Sequence, residues 1–170
     1  MLADYVANCV EGVACKVPAL HHRPATAIEE AAAACAGVPV ADLTLVGSSL
    51  GGFYATVLAE RLGCRAALLN PAVHPHRHFA RHLGAQRNLY TGEEFVLTQE
   101  HIDDLRAMDP PAITRPERYW LFVETADAVL DYREAVTFYA GALQQVTRGG
   151  DHALVSFPEH IPEIVAWAQA

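Results

Sequence analysis

The sequence has little positive charge and almost no lysine. Its 170 residues contain 12 Lys and Arg side chains against 20 Asp and Glu, and Lys16 is the one lysine. The net charge is therefore −8, and no cluster of Lys and Arg interrupts the acidic composition. Nucleic-acid binding needs a basic surface, so we expect no nucleic-acid partner.

The sequence also lacks long apolar runs and the cysteine spacing of a metal site. No run reaches the roughly 18 to 20 apolar residues that span a bilayer, and the first 20 residues lack the basic start of a signal peptide. We therefore expect no membrane partner. The four cysteines, at positions 9, 15, 35 and 64, form no Cys-x-x-Cys pair. Free, mostly buried thiols are typical of a protein from the reducing cytoplasm, the expected location.

The hydrophobic fraction of 52% is ample for a packed core, and the length fits one domain over residues 1–170. Strands are predicted at 14–20, 42–47, 65–70, 118–125 and 143–148. Helices are predicted up to residue 13 and at 26–37, 50–63, 131–141 and 158–170. Thr26 is expected to cap the second helix. This alternation predicts an α/β fold, with a mostly parallel sheet and helices on both faces.

Residues 71–115 break the alternation. They are rich in Pro, His and charge, with two short helices predicted near 76–83 and 98–107 and a turn at 90–95. An excursion of this length usually has a function, so a lid or binding wall is expected. The stretch "NPAV" at 70–73, where the excursion begins, is a further candidate for the pocket wall.

The stretch "LTLVGSSLGGFYATVLAERLG" at 43–63 holds the pattern Gly47-x-Ser49-x-Gly51. It lies between a predicted buried strand and a predicted helix, which is the context of a nucleophile elbow. The glycines are expected to leave room for the crowded strand-to-helix crossing, and Gly52 to allow close helix packing. The N–H of Leu50, at the helix start, is placed to stabilise an oxyanion.

A serine hydroxyl needs a base, and His152 in "TRGGDHAL" follows the last predicted strand. Asp127 and Asp131 follow the preceding strand and are both candidates to orient the histidine. Asp127 is favoured because it comes sooner after the strand, whereas Asp131 is well placed to cap the next helix. The order Ser49, Asp127, His152 is a Ser–Asp–His order with each residue at the carboxyl end of a strand.

Five segments carry a more specific resemblance: LVGSSLGGFYATVLAERLG, LLNPAVHP, LYTGEEFVL, TADAVLDYREAV and GGDHAL. From about residue 14 to the end, the chain resembles the bacterial YqiA-like esterases, a small α/β-hydrolase family. The resemblance implies a cytoplasmic serine esterase that hydrolyses small or short-to-medium acyl esters without a cofactor. The family's serine, acid and histidine fall on Ser49, Asp127 and His152, and Ala126 stands where most members have Gly.

The beginning of the chain departs from that family. YqiA-like esterases open with an apolar strand and a His-Gly loop, and no such segment precedes Tyr5. That loop supplies a second oxyanion N–H, whose loss costs roughly 10²- to 10³-fold in rate. The strand belongs between 14–20 and 42–47, so an N-terminally truncated fold is expected. Two interpretations stay open: the true start lies upstream of Met1, or the protein is a weakly active or non-catalytic binding member of the fold.

The stretch "HPHRHFARH" places His78 and His82 four residues apart, as metal ligands on one helix face are. No carboxylate or third ligand with a fixed spacing accompanies them in the sequence. A solvated helix is therefore the interpretation, with no metal site expected.

Overall fold

The computed structural model describes residues 1–88 and 92–170. Within these ranges the α-helices are α1 (Leu2–Cys9), α2 (Pro24–Cys35), α3 (Leu50–Leu62), α4 (His76–Phe79), α5 (Gln99–Met108), α6 (Tyr132–Phe138) and α7 (Phe157–Gln169). The strands are β1 (Thr44–Ser48), β2 (Arg65–Leu69), β3 (Gly84–Arg87), β4 (Glu94–Leu97), β5 (Tyr119–Glu124) and β6 (Leu143–Thr147).

Four of these strands form one parallel sheet in the order β1-β2-β5-β6. Ser48 lies opposite Leu69, and Leu69 lies opposite Phe122, so the carboxyl ends of the strands meet at one edge. The predicted α/β fold with a parallel sheet is confirmed. Strands β3 and β4 pair antiparallel in a separate hairpin, which was not predicted from the sequence.

Side chains of the central strands alternate between two helical layers. Ala66 and Leu68 of β2 pack in a cluster that includes residues of α3 and α6. Ala67 and Leu69 pack in a second cluster with Ile164 of α7 on the opposite face. This alternation follows from the two-residue period of a strand, and it confirms helices on both faces of the sheet.

The strand predicted at 14–20 is wrong. These residues form no regular secondary structure, and the Val17 residue is 79% exposed. Pro18 has no N–H to donate to a sheet, and β1 is an outer strand of the described sheet that does not pair with this segment. In line with that position, Thr44 to Val46 of β1 are only half-buried, whereas full burial on both faces was expected.

The start of α2 also differs from its prediction. The helix begins at Pro24, two residues early, and Thr26 does not cap it. Proline is favoured at the first helical position because its fixed φ suits the helix and its missing N–H costs nothing there.

The excursion at 71–115 contains the two short helices expected, α4 and α5, with a 3₁₀ turn at 80–82 after the first. The turn predicted at 90–95 includes Tyr90 and Thr91, which lie outside the described residues. Glu94 and Phe95, which also belong to the predicted turn, instead begin strand β4, which pairs with β3.

All four cysteines are free, but only Cys64 is buried, so the expectation of mostly buried thiols is wrong. Burial raises the pKa of the Cys64 thiol to about 11, which keeps it protonated and unreactive at neutral pH. Across the described ranges, no helix combines the length and apolarity that crossing a membrane requires.

Candidate active site

Ser49 lies on a sharp turn between β1 and α3. Its φ of 52° and ψ of −122° place a non-glycine residue in a region that side chains rarely adopt. The Ser49 N–H donates to the carbonyl of Leu69 at 3.0 Å, and the Ser49 carbonyl accepts from the N–H of Ala72 at 2.9 Å. The neighbouring strand and the loop after it therefore hold the turn in place.

Two of the glycines around Ser49 are required by close contacts. A Cβ on Gly47 would lie 2.2 Å from the carbonyl oxygen of Gly51, and a Cβ on Gly52 would lie 2.7 Å from Cβ of Pro71. A Cβ on Gly51 would meet nothing within 4 Å. The expectation that position 51 must be glycine to leave room is therefore wrong. The Gly51 backbone lies close to Gly47, but a side chain at position 51 would point into open space.

The structure brings Ser49, His152 and Asp127 into one chain of hydrogen bonds. His152 Nε2 lies 2.9 Å from Ser49 Oγ, and His152 Nδ1 lies 2.8 Å from Asp127 Oδ2. The Asp127 side chain is 2% exposed and the His152 side chain is 29% exposed. The acid is therefore shielded from water, while the histidine and serine can be reached from outside.

The two candidate acids occupy different positions. Besides His152, Asp127 accepts hydrogen bonds from the N–H groups of Val129 at 2.8 Å and Leu130 at 3.0 Å. Asp131 caps α6 by accepting from the N–H of Arg133 at 3.0 Å, and its side chain is 51% exposed. Only Asp127 of the two is hydrogen-bonded to the histidine.

Leu50 is the first residue of α3, directly after Ser49. The N–H groups of a first helical turn have no acceptor within the helix, and the helix dipole adds partial positive charge there. The Leu50 N–H thus has the location that an oxyanion donor requires.

Apolar side chains of the excursion and of this helix start pack against the same buried cluster. Leu50, Phe79, Met108 and Leu130 are partly buried members of one cluster. A surface cavity of 290 Å³ lies on the acid loop at 125–133, with Asp127 in its lining, and a cavity of 620 Å³ lies on the β3–β4 hairpin. Neither is lined by Ser49 or His152.

The histidine-rich stretch is tied to carboxylates from other elements. His74 Nδ1 lies 2.7 Å from Asp109 Oδ2, and His78 Nε2 lies 3.3 Å from Glu134 Oε2. His82 is exposed in the 3₁₀ turn after α4. Over residues 1–88 and 92–170, no group of three or more His, Cys, Asp or Glu side chains could hold a metal ion.

Two buried polar residues at strand ends were not predicted to have a role at the site. Asn70 follows β2 and is 2% exposed, and Glu124 ends β5 and is fully buried. Both form hydrogen bonds with the loop that carries His152. The stretch "NPAV" was a candidate for the pocket wall, but the buried Asn70 side chain bonds to the histidine loop instead. A carboxylate at the end of an otherwise apolar strand, in "WLFVE", was the signal available for Glu124.

Three solved structures have a similar fold. A putative hydrolase from Agrobacterium vitis S4 is 21% identical, with a TM-score of 0.62 over 86% of this chain and 67% of its own. The esterase domain of a Rhodothermus marinus protein is 18% identical, with a TM-score of 0.59 over 85% of this chain and 68% of its own. Mouse alpha/beta hydrolase domain-containing protein 10 is 16% identical, with a TM-score of 0.64 over 95% and 72%. These similarities establish the α/β-hydrolase fold.

A family comparison extends over nearly the whole chain. The family model that matches is described as Uncharacterised protein family (UPF0227), and it covers residues 1–169. The matched range includes the turn at Ser49, the acid loop after β5 and the loop that carries His152. The chain therefore belongs to the UPF0227 family, the YqiA-like family that its sequence motifs resemble.

Proposed function

We propose that the protein is a serine hydrolase that cleaves small or short-to-medium acyl esters through Ser49, His152 and Asp127. The observation that carries this proposal is the unbroken hydrogen-bond chain from Asp127 through His152 to Ser49, which lies on a strained turn. The α/β-hydrolase fold supports it, because this fold presents its nucleophile at such a turn.

In the proposed reaction, His152 Nε2 takes the proton of Ser49 Oγ as that oxygen attacks the ester carbonyl carbon. The protonated His152 then gives the proton to the leaving alcohol, and an acyl-serine remains. Water, deprotonated by His152, attacks the acyl-serine and releases the acid, while the proton returns to Ser49. Asp127 keeps the proton of the imidazole on Nδ1, so that Nε2 is free to act as a base.

The Leu50 N–H stabilises the negative oxygen of both tetrahedral intermediates. It acts from the first turn of α3, where the helix dipole favours an anion. A donor of this kind contributes roughly 10²- to 10³-fold in rate.

The substrate class rests on the side chains beside the nucleophile. Leu50, which follows Ser49, and the excursion residues Phe79 and Met108 pack against the same apolar cluster, and this supports a position of the excursion near the nucleophile. We propose that this excursion is the lid of a single domain and contacts the acyl chain. An apolar acyl group suits such a surface better than a charged one does.

Labelling with a fluorophosphonate probe tests the proposal, because the probe reacts with an activated serine whatever the natural substrate is. We expect labelling of the native protein, loss of labelling in Ser49→Ala, and retention in Ser48→Ala, which changes the exposed neighbouring serine. Turnover of p-nitrophenyl esters of increasing chain length then measures the acyl preference. A folded native protein that does not label would overturn the proposal and favour a non-catalytic binding role.

The acid is tested by a matched pair of variants. Asp127→Asn is expected to lower kcat by about 10⁴-fold, because an amide facing His152 favours the wrong imidazole tautomer. Asp131→Asn is expected to leave kcat within about twofold, because asparagine caps a helix as well as aspartate does. Steady-state ester hydrolysis measures both, and equal losses in the two variants would contradict the role of Asp127.

A further inference from the structure

Glu124 is a fully buried carboxylate at the carboxyl end of β5. Charged side chains are almost never fully buried unless they are paired. In the described parts of the chain, no Lys, Arg or His forms an ion pair with Glu124, so hydrogen bonds must stabilise its charge.

The backbone N–H groups that donate to the Glu124 carboxylate all belong to one loop. Glu124 Oε2 accepts from the N–H of Asp151 at 2.7 Å and from the N–H of Val155 at 3.1 Å. Glu124 Oε1 accepts from the N–H of Ser156 at 2.8 Å, at the start of α7. His152 lies within the loop that these three bonds fix.

The hydrogen bonds keep Glu124 ionised. Burial by itself raises the pKa of this carboxyl, but its bonds with Ser156 and with the N–H groups of Asp151 and Val155 outweigh burial, so the pKa is lowered from its ordinary value. Glu124 is therefore an anion at neutral pH and a strong acceptor for the loop.

Asn70 holds the carbonyl groups of the same loop. Its Nδ2 donates to the carbonyl oxygens of Asp151 at 2.9 Å and His152 at 3.2 Å, and its Oδ1 accepts from the N–H of Glu124 at 3.0 Å. A Cβ on Gly150 would lie 1.9 Å from Glu124 Oε2, so the loop backbone passes directly against the carboxylate. The loop is thus bonded through both its N–H and its carbonyl groups.

We propose that Glu124 is a positioning residue for His152: its buried carboxylate anchors loop 149–156 so that the imidazole stays between Ser49 and Asp127. The proposal rests on the proposed hydrolase function, in which His152 exchanges a proton with Ser49 and its contact with Asp127 fixes the imidazole tautomer. The side chain of His152 is partly exposed, and the backbone beneath it is what Glu124 fixes.

The decisive variant is Glu124→Gln, which keeps the shape but turns an NH₂ group towards backbone N–H donors. We expect the rate of fluorophosphonate labelling and the kcat for ester hydrolysis to fall roughly tenfold to hundredfold, with KM unchanged. Glu124→Asp keeps the charge on a shorter side chain and is expected to recover part of the rate. It also keeps the proposal testable if Glu124→Gln does not fold.

Leu121→Val is the matched control, because Leu121 lies on the same strand and packs on the opposite face of the sheet. All variants are compared well below their melting temperatures. The control is expected to label at the native rate. Native-rate labelling by Glu124→Gln, or an equal loss in Leu121→Val, would overturn the proposal.

A second measurement separates this proposal from the hydrolase function. A proton shared by an imidazole and a carboxylate gives a strongly downfield ¹H NMR signal, which Asp127→Asn would remove and thereby assign. If Glu124 positions His152, this signal is lost or broadened in Glu124→Gln and kept in Leu121→Val, even if the native protein does not label. An unchanged signal in Glu124→Gln would overturn the positioning role.

Discussion

Ser49 adopts a conformation that costs of the order of 1–3 kcal/mol for a non-glycine residue. The bonds of its backbone to Leu69 and Ala72, together with the close packing of Gly47 and Gly52, offset that cost. Glycine is therefore needed where another backbone approaches, and not at every position of the Gly-x-Ser-x-Gly pattern.

Gly47→Ala and Gly51→Ala test this distinction. Gly47→Ala is expected to lower the free energy of unfolding by at least about 3 kcal/mol, because its Cβ would overlap the Gly51 carbonyl. Gly51→Ala is expected to be neutral or to stabilise the protein by up to about 1 kcal/mol, since it adds a helix-favouring residue in open space. Urea denaturation of both variants measures the difference. Equal destabilisation would show that the two glycines have the same role.

At the scale of elements, a pair of histidines joins the loop before α2 to the excursion. His101 Nδ1 accepts from the N–H of Thr98, the cap of α5, at 3.1 Å, and His101 Nε2 lies 3.1 Å from His22 Nδ1. The His22 ring also stacks on Phe95 of β4, with centroids 4.6 Å apart. These bonds require a neutral His101 with its proton on Nε2, because Nδ1 must remain an acceptor.

This pair predicts a loss of stability in mild acid. Burial, followed by the charges of His22 and Arg23, lowers the pKa of His101 below its ordinary value of 6.5, although Asp104 and Glu100 oppose the shift. The folded state therefore binds this proton less readily than the unfolded state does. The contribution of neutral His101 to the free energy of unfolding is fully present above pH 6.5. It is lost as the pH falls from there towards the folded-state pKa of His101.

Urea denaturation between pH 8 and pH 6 measures this effect, with His101→Gln as the matched control. Glutamine three residues after the Thr98 cap forms the usual capping box and does not titrate. The native protein is expected to lose more stability across this range than the variant. Parallel pH profiles would show that His101 does not contribute.

At the scale of the whole molecule, the two central strands separate two apolar layers, and the outer strands are less buried. Leu68 of β2 is fully buried, whereas Leu45 of β1 is only half-buried. The stability of the fold should therefore depend most on the middle of the sheet, where both faces are covered.

Leu68→Ala and Leu45→Ala compare the centre with the edge. Leu68→Ala is expected to lower the free energy of unfolding by about 2–5 kcal/mol, the usual cost of a large core cavity. Leu45→Ala is expected to cost less, because part of its side chain already contacts solvent. Denaturant midpoints and m-values give the free energy of unfolding of both variants. An equal or larger loss of stability in Leu45→Ala would contradict the expected difference between centre and edge.

The elements that the sequence predicted well are those with a strong local pattern. Strands β1, β2, β5 and β6 are short runs with clear flanking signals, and Gly63, whose φ is 82°, caps the C-terminus of α3. The hairpin of β3 and β4 was missed because its strands, such as Gly84–Arg87, are short and polar. Residues 14–20 have strand-like composition, but a strand also needs a partner edge.

The sharp turn at Ser49 and the order of serine, acid and histidine at three strand ends follow from local sequence patterns, because glycine spacing and apolar runs act over neighbouring residues. The contact of Asp127 with His152, the capping of α6 by Asp131 and the bonds of Glu124 to the histidine loop depend on the folded molecule. These contacts join residues far apart in the chain. Their distances depend on the strand order β1-β2-β5-β6, which no local pattern encodes.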